Sequence, residues 1–199
     1  RLQGNWACTT SGTMTDQSPE AKTSFPPLRA AIAPVTPLQQ NCTIFWCTAT
    51  GKGALVDPGG DLQMLKAAVA EQGITIEKIL ITHGHVDHCG EAGILADELG
   101  VPIEGPQAAD RFWIEKLGSE GGKYGINGKV FEPDRWLEDG DKVRVGELEL
   151  DVIHCPGHTP GHVIFFHEPS RLAIVGDVLF QGSIGRTDFP MGNHADLIN

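Results

Sequence analysis

Ten consecutive positions, Ile79-Leu80-Ile81-Thr82-His83-Gly84-His85-Val86-Asp87-His88, hold the residues best suited to chemistry. Three apolar residues with the pattern of a buried strand run into three imidazoles and a carboxylate, and Gly84 lets the backbone turn between the first two histidines. His83 and His85, two residues apart at a strand end, can aim their nitrogens at one metal ion, while Asp87 and His88 diverge toward a second ion or a bound water. Two imidazoles cannot close a tetrahedral site, so other donors are required. The chain offers His158, within His154-Cys155-Pro156-Gly157-His158-Thr159-Pro160-Gly161-His162, and Asp177, which follows the apolar run Leu172-Ala173-Ile174-Val175-Gly176. Each stands at or near the end of an expected strand.

The elements that must position these residues can be traced along the chain. Residues 1–28 are rich in Thr, Ser, Gly, Pro and Gln without a hydrophobic period, and are expected to be a disordered leader, with Met14 a candidate native start. Residues 29–199 form one expected domain. Stretches 31–36, 43–48 and 54–56 read as strands of a meander, broken by Pro37, Gly51-Lys52-Gly53 and Asp57-Pro58-Gly59-Gly60. Asp57 is expected in a turn under the site, satisfying loop amides or orienting a ligand histidine. Residues 61–72 have helical spacing, with Asp61 as expected N-cap and Gly73 as stop. The strand at 79–81, a helix at 91–99 ended by Gly100 and a strand at 101–103 imply a parallel element within an otherwise antiparallel protein. Residues 107–124, with Phe112, Trp113, Leu117 and Tyr124, read either as a surface helix and glycine loop or as the wall of a substrate pocket. A hairpin at 143–145 and 147–153, then strands at 162–166 and 172–175, lead to Asp177, and a helix begins at residue 196.

Composition narrows the function classes. The chain has 199 residues, enough for one domain with a substantial core, and a formal net charge of -11 without any run of Lys and Arg. A nucleic-acid partner is therefore not expected, because neutralising phosphates needs clustered positive charge. No apolar run approaches membrane-spanning length, so no membrane partner is expected either. The five cysteines, Cys8, Cys42, Cys47, Cys89 and Cys155, are odd in number and lack CxxC spacing, which suits free thiols in a reducing compartment and a cytoplasmic location. Cys89 and Cys155 adjoin the candidate site and read as small buried hydrophobes.

The run from Thr82 to His88, the Pro156-Gly157-His158 turn and Gly176-Asp177 together resemble the metallo-β-lactamase superfamily, and within it the small single-domain glyoxalase II-like hydrolases of bacteria. Val35-Thr36-Pro37, Gln40-Asn41-Cys42, Leu55-Val56-Asp57-Pro58-Gly59-Gly60 and Gly185-Arg186-Thr187-Asp188-Phe189-Pro190 share the likeness, which runs from about residue 31 to the last. The resemblance implies an α+β fold, a four-layer αβ/βα sandwich of two mainly antiparallel sheets with helices outside and the site on loops along one edge. It implies that His83, His85 and His158 bind a first ion, that Asp87 and His88 bind a second, and that Asp177 bridges them. Zinc is the expected metal, as one or two ions, with iron or manganese as alternatives.

The implied reaction is cleavage of a small-molecule thioester such as the glutathione-derived S-lactoylglutathione, to a hydroxy acid and a thiol, by attack of metal-bound hydroxide. Asp87 is the expected general base if a single ion is present, and Arg186 and Lys123 are candidate contacts for substrate carboxylates. Relatives continue through a further helix, a strand and a Pro-Gly-His-Gly turn, so the sequence is expected to be truncated before the final strand and helix, with His194 at a surface helix start. A mononuclear iron persulfide dioxygenase is the alternative expectation, with His83, His158 and Asp177 as its facial triad.

Overall fold

The computed structural model describes residues 27–199, and the candidate start Met14 and most of the expected leader lie outside the described residues. Leu28, assigned to the leader by composition, is already the first residue of a strand.

Strands β1 (Leu28–Val35), β2 (Gln40–Cys47) and β3 (Lys52–Val56) form an antiparallel meander. Helix α1 (Leu62–Glu71) crosses over to β4 (Thr75–Leu80), which lies parallel to β3. Short α2 (Val86–Cys89) and α3 (Ala92–Leu99) then lead to β5 (Ile103–Glu104), parallel to β4, completing a five-stranded sheet in the order β1-β2-β3-β4-β5. The expected strand–helix–strand unit therefore makes two of the four pairings in this sheet parallel. Helices α4 (Arg111–Ile114) and α5 (Leu117–Tyr124) precede a wholly antiparallel second sheet of β6 (Lys142–Val145), β7 (Leu148–His154), β8 (Val163–His167) and β9 (Leu172–Ile174). A two-stranded ribbon, β10 (Leu179–Phe180) and β11 (Ser183–Ile184), and the helix α6 (His194–Ile198) follow. Among the described residues no helix is long and apolar enough to cross a membrane.

Side-chain alternation along the strands sorts the apolar residues into two cores. Ile44, Leu55, Ile79 and Ile81 face outward from the first sheet and pack with Leu62 and Leu65 of α1 and with Ala92 and Leu95 of α3. Their neighbours Phe45, Ala54, Val56 and Leu80 face inward and meet Val143, Leu150, Val152, Val163 and Phe165 of the second sheet. β4 is thus buried on both faces at its C-terminal end, which is why residues 79–81 form an unbroken apolar run rather than an alternating one. Two sheets with helices on the outside of the first give the sandwich architecture expected from the sequence. On the outer face of the second sheet Ile153 is exposed, and Ile164 and Phe166 are half-buried.

One expected detail is corrected. Asp61 does not cap α1 with its side chain; its backbone is left-handed (φ 54°), and its carboxylate instead accepts from the Thr36 amide at 2.7 Å. The carboxylate ties the end of β1 to the start of α1, and Gly73, also left-handed, follows the helix C-terminus as expected.

Leu80 is fully buried between the sheets. Leu80→Ala is expected to cost about 2–5 kcal/mol, the range for truncating a buried leucine, read as a lower urea midpoint with an unchanged slope.

Candidate metal centre

The parallel pairing of β3 and β4 places the residue after β3 beside the residues that follow β4. Asp57, left-handed at φ 57°, donates its amide to the Leu80 carbonyl (2.9 Å). Its carboxylate accepts from the Thr82 amide (2.7 Å) and the Thr82 hydroxyl (2.6 Å). Because that hydroxyl spends its proton on Asp57, it accepts from His83 Nδ1 at 3.0 Å. The His83 proton is therefore on Nδ1, and the Nε2 lone pair is free. Asp57 also accepts from His88 Nδ1 (2.9 Å), with the Gln40 side-chain amide 3.2 Å from the same nitrogen. One carboxylate thus fixes the tautomers of two histidines, the orienting role anticipated for it.

His158 lies on the loop between β7 and β8, and its Nδ1 donates to the Arg186 carbonyl at 2.7 Å. Its Nε2 therefore carries a lone pair, 2.9 Å from His85 Nδ1, and His83 Nε2 is 3.1 Å from that same His85 atom. Burial first, and then the neighbouring imidazoles, push His83 well below the ordinary histidine range and His85 down to about 3. Burial lowers His158 as well. Three neutral imidazoles thus turn nitrogens toward one point, where the lone pairs of His83 Nε2 and His158 Nε2 can share at most the one proton of His85 Nδ1; a cation among the three would satisfy all of them. Donors at ~2.0–2.1 Å from a tetrahedral zinc stand about 3.3 Å apart, so the spacing fits such an ion.

Beside this trio, His88 Nε2 is 3.2 Å from Asp177 Oδ1 and 3.7 Å from Asp87 Oδ2. Asp177 Oδ2 is 3.4 Å from His158 Nε2, so this carboxylate stands between the two groups. Burial opposes charge on both His88 and Asp177, but their contact wins: His88 is raised well above the ordinary range with Asp57 assisting, and Asp177 is held at about 2. Without metal a proton on His88 supplies the positive charge these carboxylates require. Asp57, His83 and His88 also lie within ligand range of one another, yet the Asp57 oxygens are already engaged by Thr82 and His88.

Two glycines permit this packing. A Cβ on Gly59 would lie 1.7 Å from the Asp87 carbonyl oxygen, and one on Gly185 would lie 1.8 Å from the Asp177 carbonyl oxygen and 3.2 Å from His158 Nδ1.

All six expected ligand residues, His83, His85, Asp87, His88, His158 and Asp177, are brought together. Two others emerge only from the structure. His162 is fully buried, stacks on His83 (ring centroids 4.7 Å, 18° between planes) and accepts from the Asp177 amide at 3.1 Å. It was visible in the sequence four residues after His158, without a role. Asp110 is fully buried and accepts from the Gly84 amide, the Thr159 hydroxyl and the Gly161 amide; burial nevertheless pushes its carboxyl up to about 6. No local pattern marked it.

The cluster opens on two cavities. One, of about 420 Å³, reaches Asp57, Asp87, His88 and Asp177 past Gln40, Ile32 and Phe180. The other, of about 460 Å³, reaches His85, Asp87, His158 and Asp177 past Leu38, Trp113, Tyr124 and Phe189. Residues 107–124 therefore do supply a cavity wall: Trp113 meets the His85 ring edge-on at 4.6 Å, and Phe189 meets it at 4.8 Å. Arg186 lines this second cavity, with its guanidinium bidentate on Asp188 (2.9 and 2.8 Å) and over Phe189.

Lys123 pairs at the surface with Glu120, at 2.7 Å and one helical turn away, and does not line this cavity. Lys116 lines the cavity instead, over the Phe112 and Trp113 rings. His194 is exposed at the start of α6, as expected. Cys42, Cys47, Cys89 and Cys155 are free thiols, and neither Cys89 nor Cys155 joins a ligand group; Cys8 lies outside the described residues.

The fold and this geometry together define a class. The model of the metallo-beta-lactamase superfamily matches residues 35–199, and the chain belongs to that superfamily. Within it the chain takes its place among the glyoxalase II-like proteins, as a metal-dependent hydrolase. The hydroxyacylglutathione hydrolase GloC of Haemophilus influenzae is 41% identical over 170 residues, spanning 84% of this chain and 80% of that protein. Among solved structures, the B3 metallo-beta-lactamase BLEG-1 superposes with a TM-score of 0.77 at 30% identity, over 85% of this chain and 82% of that one. TTHA1623 in a di-iron-bound form superposes with a TM-score of 0.72 at 32% identity, over 83% of this chain and 82% of that one.

The depressed imidazoles set the pH response of the metal-free protein. His83, His85, His158 and His162 take up protons more readily unfolded than folded, so their contribution is present above the ordinary imidazole pKa of about 6.5 and is lost as pH falls below it. His88, raised, works in the opposite direction, and so does Asp110 between the ordinary carboxylate value and about 6. With His167, also lowered by burial, five depressed imidazoles outweigh the raised groups, so the thermal midpoint of chelator-treated protein is expected to fall from about pH 7.5 to about pH 5.5. A flat or rising midpoint would contradict neutral burial of these rings.

Proposed function

We propose that this chain hydrolyses a thioester of a small hydroxy acid, with S-lactoylglutathione as the substrate to test, at a centre held by His83, His85 and His158. Asp87, His88 and Asp177 would hold a second ion. The observation that carries the reading is the convergence of imidazole nitrogens, two of them with tautomers set by Asp57–Thr82 and by the Arg186 carbonyl, beside a carboxylate facing the cavity. The named activity of the 41% identical relative supports the same reaction class. Nitrogen and oxygen donors of this kind suit zinc, and iron or manganese less selectively.

A divalent ion bound here would lower the pKa of its bound water to about 7 and polarise an acyl oxygen. The remaining work falls to the chain. Asp87, whose side chain keeps 22% of its surface exposed at the cavity, is placed to accept the proton of the attacking water when a single ion is bound. Trp113 and Phe189 flank His85 and keep that side of the site apolar, holding its nitrogen in place. Lys116, which forms no ion pair among the described residues, and Arg186 are the cations available on the wall for substrate carboxylates. The thiol product, with a pKa of about 8.5, leaves as thiolate without a strong acid beside it.

The free thiols of the four described cysteines support a reducing, cytoplasmic setting, and the net charge of -11 speaks against a nucleic-acid partner. The persulfide dioxygenase alternative needs only His83, His158 and Asp177, and leaves His85, Asp87 and His88 with no ion to hold.

Metal-loaded protein is expected to consume S-lactoylglutathione, followed as loss of thioester absorbance, and Asp87→Asn to lower kcat by about 10²–10⁴-fold. Absence of turnover in protein shown to contain metal would reject the thioesterase reading, and oxygen uptake with glutathione persulfide would then mark the dioxygenase.

A further inference from the structure

We infer that Asp110 is a positioning residue for the metal centre, a buried carboxylate that sets the distance between the two loops carrying its histidines. Asp110 is fully buried and forms no ion pair among the described residues. An unpaired buried carboxylate is costly unless hydrogen bonds replace its hydration, and here three do. Oδ2 accepts from the Gly84 amide at 2.8 Å and from the Thr159 hydroxyl at 2.7 Å, and Oδ1 accepts from the Gly161 amide at 2.6 Å.

The donors are what give this carboxylate its role. Gly84 is the residue between His83 and His85, and Thr159 follows His158. A single Oδ2 atom therefore joins the loop after β4 to the loop after β7, next to the three nitrogens that converge. The packing leaves no slack: a Cβ on Gly84 would lie 3.0 Å from the Asp110 carbonyl oxygen, and one on Gly161 would lie 2.8 Å from Asp110 Oδ1. Asp110 also starts α4, whose Trp113 packs on His85, so the same residue ties the cavity wall to the ligand loops.

The inference rests on the reading of His83, His85 and His158 as ligands, and the test separates the two. Metal-free wild-type protein, Asp110→Asn and Thr159→Val are titrated with cobalt(II) against a competing chelator, with visible d–d spectra and the metal-free thermal midpoint recorded for each. Asn can offer one acceptor oxygen but turns an amide group toward a second donor, so it disrupts the bridge with little change in shape. Asp110→Asn is expected to weaken cobalt binding about 10–100-fold, the usual effect of losing a residue that orients ligands, and to shift the d–d bands. Thr159→Val is expected to do the same to a smaller degree.

Wild-type affinity and spectrum in both variants, whatever their metal-free midpoints, would overturn the inference and leave the ligand reading standing. If Asp110→Asn does not fold, an unchanged Thr159→Val overturns it. Wild-type protein that takes up no cobalt overturns the ligand reading and the inference together.

Discussion

The Asp57 carboxylate is the interaction on which the rest of the candidate site depends. It is buried at the junction of two parallel strands, and its oxygens are occupied by the Thr82 amide, the Thr82 hydroxyl and His88 Nδ1. The direction of each of those hydrogen bonds propagates: the threonine hydroxyl must accept from His83, so the His83 Nε2 lone pair turns toward His85 Nδ1, while His88 presents its Nε2 to Asp177. A buried carboxylate with fewer partners would carry a heavy desolvation penalty, so the same contacts that satisfy Asp57 also choose the tautomers. The site is organised from beneath, by the sheet, before any ligand arrives.

The second constraint is the position of β4. Ile79 and Ile81 pack against the helices while Leu80 packs between the sheets, so this strand is held from both sides. The residues that follow it leave the sheet at a point fixed by two cores. Loops usually gain freedom with distance from regular structure, but the histidine loop is short and is pinned at once by Asp57 and Asp110. Glycines at 59 and 185 complete the arrangement by letting backbone carbonyls approach where any side chain would intrude.

Much of this was legible in the sequence because it is local. The apolar run at 79–81, the alternating spacing of His83 and His85, and the glycine-bounded turns are all read within a few residues, and the strands at 31–36 and 147–153 lie close to where β1 and β7 form. What could not be read is what joins distant segments. Asp110 acts on residues 26, 49 and 51 positions away, and its neighbours Ala109 and Arg111 carry no hint of it. Lys123 was the lysine expected at a substrate carboxylate and Lys116 had no assignment, because a helix of unknown orientation does not reveal which of its residues faces a cavity. Asp61 has the residue type of a helix cap, but its left-handed backbone sends the carboxylate to Thr36 instead. Propensity was right about the residue and wrong about its partner.

The nitrogens of His85 and His158 meet although they lie 73 positions apart in the chain, one following the first sheet and the other rising from the second. On the proposed reading, an ion at this point is also a tether. It would close a long loop in the chain as a disulfide does, but reversibly and under the control of metal supply. The two halves of the sandwich would be fastened at the edge where substrate enters, so the availability of the ion would govern how long the folded protein persists as well as whether it can act.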